Sequence, residues 1–122
     1  MTSAAARAAS APSHLVVVEG GPEGLTAVLA TADGRRLATA SGPGADPTQD
    51  GAVRTAERVA AVVAQTYVAA GVEAPSRPRL DALSVFVSGC DLDEESDLLT
   101  ESLATVAEAR ETVVDEAALA AW

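Results

Sequence analysis

Two short stretches of this 122-residue chain carry residue types that could do chemistry. Glu19-Gly20-Gly21-Pro22-Glu23-Gly24 sets three glycines between and beside two carboxylates. A glycine turn can cup a phosphate, because backbone N–H groups point inward and no side chain blocks the approach. The same residues also make an ordinary hairpin turn. Asp115-Glu116 places adjacent carboxylates directly after the apolar run that ends at Val114. One of them could act as a general base or hold a metal-bound water. The pair equally suits a helix N-terminus, where acids complement the dipole and cap free amides.

The other chemically suggestive residues have simpler readings. His14 has no Ser, Cys or Asp partner in view, so a structural role is expected. Cys90 follows Ser88-Gly89 in a loop, cannot form an internal disulfide as the single cysteine, and lacks metal-ligand spacing. The acidic run from Asp91 to Asp97 lacks the glycine and final Glu of an EF-hand loop and reads as a solvated helix start. Trp122 is either an anchor against a partner or simply the last residue.

Composition narrows the partners. Eighteen acidic residues against eight basic ones give a formal net charge of −10 and a pI near 4.3. All the basic residues are Arg; Lys is absent. A nucleic-acid binder needs a cationic face to displace counterions from phosphates, and this charge balance does not supply one. An anionic membrane surface is disfavoured for the same reason. No apolar run approaches the ~18 residues of a membrane-spanning helix. The expectation is a single acidic cytoplasmic domain, with a core of small side chains because Ala and Val dominate its apolar residues.

The chain then divides as follows. Residues 1–13, rich in Ala and Ser, have neither the pattern of a packed element nor the apolar stretch of a secretory signal, and read as a disordered tail. Residues 14–122 form the folded domain. Leu15 to Val18 is a buried strand stopped by the glycine turn, Leu25 to Ala30 a second strand, and Asp33-Gly34 a tight turn into a third, Arg36 to Ser41. Gly42 to Gly51 reads as loop. Ala52 to Ala70 reads as a helix burying Val53, Ala56, Val59, Ala60, Val63, Tyr67 and Ala70, with Gly71 as its cap. A linker containing Pro75 and Pro78 leads to a fourth strand, Leu83 to Val87. A second helix, from Glu94 to Ala107, buries Leu98, Leu99, Ser102, Leu103 and Val106, with Asp91 and Glu94 at capping-box spacing. Glu111 to Val114 is the fifth strand, and Asp115-Glu116 opens another helix. The order βββαβαβ predicts an α/β fold: a mixed five-stranded sheet flanked by helices, of ribonuclease-H-like type.

Within this frame the residues resemble the BadF/BcrA-type ATPase and N-acetylglucosamine kinase family of actin-like ATPases and sugar kinases. Val17 to Ala30 (VVEGGPEGLTAVLA) resembles the family's opening strand, its D-G-G-G-T-K-T phosphate motif and second strand, aligned without a gap. Arg35-Arg36-Leu37-Ala38 resembles the turn into the third strand. The segment from Gly42-Pro43 to Asp46-Pro47 resembles a G-P-S-N-P loop, Phe86-Val87-Ser88-Gly89 a G-L-A-G loop, and Val113 to Ala117 a V-V-N-D-A motif. The likeness spans residues 15–122.

The resemblance implies ATP and Mg²⁺ as cofactors and phosphoryl transfer to a hexosamine. Glu19 would take the place of the Asp at the Mg²⁺–ATP region, and Gly20 and Gly21 would keep the phosphate-loop backbone. Asp46 would replace an Asn, and Ser88 with Gly89 would flank the sugar. Glu116 would hold the position of the base on the sugar hydroxyl, with Asp115 in place of Asn. Two substitutions oppose phosphate binding: Glu23 stands where the family has Thr, and Gly24 where it has Lys. Two unit charges ~4 Å apart repel by ~4 kcal/mol at an effective dielectric of about 20. The family's active site also lies between two lobes, and this chain corresponds to the first. The expectation is therefore a degenerate or incomplete kinase-like lobe. The alternative is a non-catalytic interaction module, with no cofactor, that pairs with a second copy or a separately encoded second lobe.

Overall fold

The computed structural model describes residues 14–73, 79–88 and 93–115. The expected Ala/Ser-rich tail, the proline linker, Gly89, Cys90, the Asp91 capping box, Glu116 and Trp122 lie outside them.

Strand β1 (His14–Gly21) is the hub of the sheet. Its β-branched residues suit a strand buried on one face, and each edge finds a different kind of partner. On one side β2 (Gly24–Thr31) pairs antiparallel with it, and β3 (Arg36–Gly42) pairs antiparallel with β2. On the other side β4 (Arg79–Val87) pairs parallel with β1, and β5 (Glu108–Asp115) parallel with β4. The order is β3-β2-β1-β4-β5, a mixed five-stranded sheet flanked by helices in an α/β fold, as the element order requires. Parallel neighbours need a crossover. The long helix α2 (Ala52–Ala69) supplies one between β3 and β4, and α3 (Asp93–Leu103) supplies another between β4 and β5. The one-turn helix α1 (Pro47–Asp50) precedes α2.

Registry decides which side chains are buried. Val18 lies opposite Ala27 on β2 and Val85 on β4, and all three are fully buried beneath the helices. Val16, Leu25, Leu29, Leu83 and Val87 complete that face of the sheet. Against it pack Val59, Val62, Val63 and Tyr67 of α2, with Leu99 and Leu103 of α3. Ala and Val make up eleven of the eighteen buried apolar residues described, as the composition predicts, and five leucines are among the largest fully buried side chains. The opposite face is more open: Val17 is 42% exposed and Val113 38%.

The structure corrects several boundaries. The first strand does not stop at Glu19 but runs through Gly21, so the two glycines are strand residues and the turn is Pro22-Glu23. Pro47–Asp50 is helical within the expected loop, because Pro47 suits a first helical position and Asp46 caps it, accepting from Thr48 N at 2.9 Å. β4 begins four residues earlier than expected and β5 three residues earlier. Charged residues pair there instead, Arg79 with Glu108 at 3.6 Å and Arg110 with Asp81 at 3.8 Å, and these hide the strand pattern.

On α2 the buried arc is displaced from the expected one. Val53 is 64% exposed, whereas Thr55, Val62 and Thr66 are buried. Thr66 can be buried because its hydroxyl donates to Val63 O at 2.6 Å. The end of α2 matches expectation: Gly71 has φ +76°, Gly71 N donates to Val68 O and Val72 N to Tyr67 O, the paired bonds of a Schellman cap. On α3, Leu99 and Leu103 are buried as expected, but Leu98 is 56% exposed and the helix ends at Leu103. The Ala104–Val106 turn there is closed by bonds from Thr105 N to Ser102 O and from Val106 N to Leu103 O. The Asp33-Gly34 turn forms as expected, with Gly34 at φ +91°. The Thr31 hydroxyl and the Arg35 amide hold the Asp33 carboxyl below its ordinary range. His14 has the structural role expected of it, its ring edge-on to Tyr67 at 5.6 Å.

Two measurements check this packing. Leu29→Ala should cost about 2–5 kcal/mol in urea unfolding, whereas Val17→Thr on the open face should change stability by no more than about 0.5 kcal/mol. Burial raises the pKa of Tyr67 above the ordinary 10.0. The unfolded chain therefore loses this proton first, so stability is full below pH ~10 and declines as pH rises through the folded value. Tyr67 is the only tyrosine, so ultraviolet titration of phenolate should report an elevated midpoint in the native chain and a normal one in urea.

Candidate functional site

The chain's candidate chemistry gathers where β1 and β4 end. Both strands run in the same direction, so their C-terminal ends lie side by side, with Gly20 opposite Val87. Ligands of open α/β sheets bind at such carboxyl ends. Here Glu19, Gly20, Gly21, Pro22, Glu23, Gly24, Thr26 and Ser88 line a single open depression of about 520 Å³.

Local sequence explains the shape of this cleft. β1 and β2 are joined by only Pro22 and Glu23, between the paired residues Gly21 and Gly24. Proline fixes φ near −65°, and among the described residues only glycines have positive φ. The turn therefore cannot be one of the mirror-image types whose twist matches a hairpin. Gly20 takes up the mismatch at φ +147°, and a Cβ there would lie 2.0 Å from Gly24 O. No other residue fits. Gly21 is tight for a different reason, since its Cβ would sit 2.9 Å from the Ser88 Oγ.

Both glycine carbonyls are engaged from outside the hairpin. Ser88 N donates to Gly20 O and Ala45 N to Gly21 O, each at 3.0 Å. The segment carrying Ala45 also lies hard against the turn: a Cβ on Gly44 would be 2.2 Å from Pro22 O. The cleft thus has a floor of glycine backbone, one wall tied to the end of β4 and another tied to the strap between β3 and α1.

The structure brings together six of the residues singled out in the sequence: Glu19, Gly20, Gly21, Glu23, Gly24 and Ser88. Asp46 is not among the lining residues; its carboxylate caps α1, and its amide donates to Asp50 Oδ2 at 2.9 Å. Asp115 is the last residue of β5, in register with Phe86, two residues before Ser88. Gly89 and Glu116 fall outside the described residues. Sequence reasoning missed Thr26, a strand residue whose neighbour Leu25 faces the core, and Gly44, whose role depends on a contact with Pro22 twenty-two positions earlier. Alternation along β2 signals Thr26; nothing local signals Gly44.

Among the described residues the lining is acidic, with two carboxylates, two hydroxyls and no basic side chain. Among the described residues no group of three His, Cys, Asp or Glu side chains converges to hold a metal ion. Mg²⁺ commonly takes one or two carboxylates and completes its shell with water and substrate phosphates. The two carboxylates of the lining, Glu19 and Glu23, are within that number.

No protein-family model matches the chain, and no curated protein does. Among solved structures, the fold resembles that of a "Putative N-acetylglucosamine Kinase from Chromobacterium violaceum", with a TM-score of 0.66 and 19% sequence identity over 85% of this chain. The likeness is one of fold. The chain spans 35% of the length of that protein. No helix among the described residues is long and apolar enough to cross a membrane.

Substitution at the two strand glycines should separate their roles. Gly20→Ala should destabilise the chain by at least about 2 kcal/mol, since positive φ and a backbone clash both penalise it. Gly21→Ala should cost less, because the Ser88 hydroxyl can rotate away, and Ser88→Ala should recover only part of that loss, since its Cβ stays 3.2 Å from the added methyl. Chemical denaturation of the four proteins gives the comparison.

Proposed function

We propose that the chain is a lobe of the N-acetylglucosamine kinase-like and BadF-type ATPase class, descended from machinery for ATP-dependent phosphoryl transfer to a hexosamine. The observation that carries this reading is the convergence of Gly20, Gly21, Glu23, Gly24 and Ser88 on one cleft at the ends of parallel strands. Residues more than sixty positions apart meet there, and they are ones that the family resemblance assigns to a phosphate loop and a sugar loop. The fold likeness to a kinase lobe supports the same reading.

The chemistry of the lining alters what such a lobe can do. Phosphoryl transfer relies on positioning and on neutralising charge around the transferred group. In this cleft Glu23 opposes the phosphates and Gly24 brings no cation, so free ATP is repelled. Nucleotide would bind only as its magnesium complex, with Glu19 the residue to hold the metal, and only weakly. Transfer to a sugar requires a second lobe to close the cleft, because one open wall leaves the reacting groups in water. Glu116, by its place in the resemblance, is the base that would take the sugar hydroxyl proton.

Calorimetry on the full chain tests this. Mg²⁺–ATP should bind in the millimolar range and ATP in EDTA should not bind. The double variant Glu23→Thr/Gly24→Lys, which removes a repulsive charge and adds an attractive one, should tighten Mg²⁺–ATP binding at least tenfold, as Coulomb energies of ~4 kcal/mol before screening allow. Absence of binding by both proteins at several millimolar would overturn the assignment.

A further inference from the structure

We infer that Arg58, on the second turn of α2, is a positioning residue for the cleft: it holds the strap Gly42–Asp46 against the Gly21-Pro22 corner. Its Nη1 donates to Gly44 O and lies 3.9 Å from Asp50 Oδ2. The same Asp50 oxygen accepts from Asp46 N at 2.9 Å. Arg58, Gly44, Asp46 and Asp50 thereby form a closed ring of polar contacts around one residue, Ala45. Ala45 is 1% exposed, although it belongs to a connecting segment, and its amide is the donor to Gly21 O. The strap touches the hairpin over bare backbone, since Gly44 leaves no room for a Cβ against Pro22 O.

Such a backbone-on-backbone contact has little apolar area to hold it. Ala45 anchors the strap in the hydrophobic core, and the polar contacts from α2 hold it from behind. Arg58 is suited to this because its Nη1 carries two N–H groups and a fixed charge, so one nitrogen serves the carbonyl while staying near the carboxylate. Gly44 O faces α2 and the Ala45 amide faces β1, so the two bonds pull the strap in opposite directions and define its position. The inference concerns the shape of the cleft and holds whatever fills it. A failure of nucleotide binding leaves it standing, and its own failure leaves the nucleotide reading standing.

The test is residue-resolved amide hydrogen exchange on the full chain. In Arg58→Ala, the Ala45 amide should exchange at least tenfold faster relative to the Val18 and Val85 amides of the core. The Ser88 amide, bonded to Gly20 O on the other wall, should keep its ratio to those core amides. Arg54→Ala, one turn earlier on the same helix, should change none of these ratios. Arg58 would be shown to be merely a stabiliser of α2 if Ala45 speeds up only in step with Val18 and Val85. Should Arg58→Ala not fold, Arg58→Lys serves instead: a selective acceleration at Ala45 of about threefold is expected, and an unchanged ratio overturns the inference.

Discussion

Where β1 ends, its last two carbonyls are taken by amides from other parts of the chain, Gly20 O by Ser88 N and Gly21 O by Ala45 N. Buried backbone acceptors need partners, and these two find theirs on opposite sides. The consequence spreads outward from that point. β4 must stay parallel beside β1 as far as Val87, and the chain leaving β3 must turn back across the hairpin before α1 begins. The direction of β4 in turn requires a crossover, which α2 provides, and α2 brings the apolar residues that bury Val16 and Val18. The floor of the cleft and the register of the sheet are thus one constraint seen from two sides.

Much of the architecture was legible because it follows from local rules. The valine run of β1, the Asp33-Gly34 turn and the Gly71 cap each state their conformation within a few residues. Alternation and helical spacing then leave few ways to arrange three antiparallel strands and two crossovers. What could not be read was set at a distance. The early starts of β4 and β5 lie where Arg79 faces Glu108 and Arg110 faces Asp81, charged residues nearly thirty positions apart that carry no apolar pattern. The buried arc of α2 includes Thr55 and Thr66, polar residues that an apolar pattern omits; only the packing of α2 against both the sheet and α3 places them inside.

The site was legible to a similar degree, and for similar reasons. Glycines flanked by carboxylates marked the cleft, and Ser88 was found through the resemblance of Phe86-Val87-Ser88-Gly89 to a family loop. The division of labour within the site was not visible. Gly20 and Gly21 are consecutive and identical in type, yet one answers to a twist mismatch in the hairpin and the other to a side chain on the neighbouring strand. Asp46, marked for a substrate role, has its carboxylate on the first amide-bearing position of a helix too short to be seen in the pattern. The electrostatics follow directly from composition. A chain with no Lys and ten excess negative charges has little with which to offset Glu19 and Glu23, and in the cleft nothing basic does.

The unequal faces of β1 also shape how this chain can drift over generations. Val16 and Val18 are held by the packing of two helices, whereas Val17 between them faces outward and answers to little beyond strand propensity. Substitutions should therefore accumulate along β1 with a period of two, at odd positions and not even ones. That rhythm should fail at Gly20 and Gly21, where backbone closeness constrains both faces at once. A lineage that lost its ligand would relax the carboxylates on either side of the glycines long before it relaxed Gly20, because Gly20 is kept by the hairpin itself.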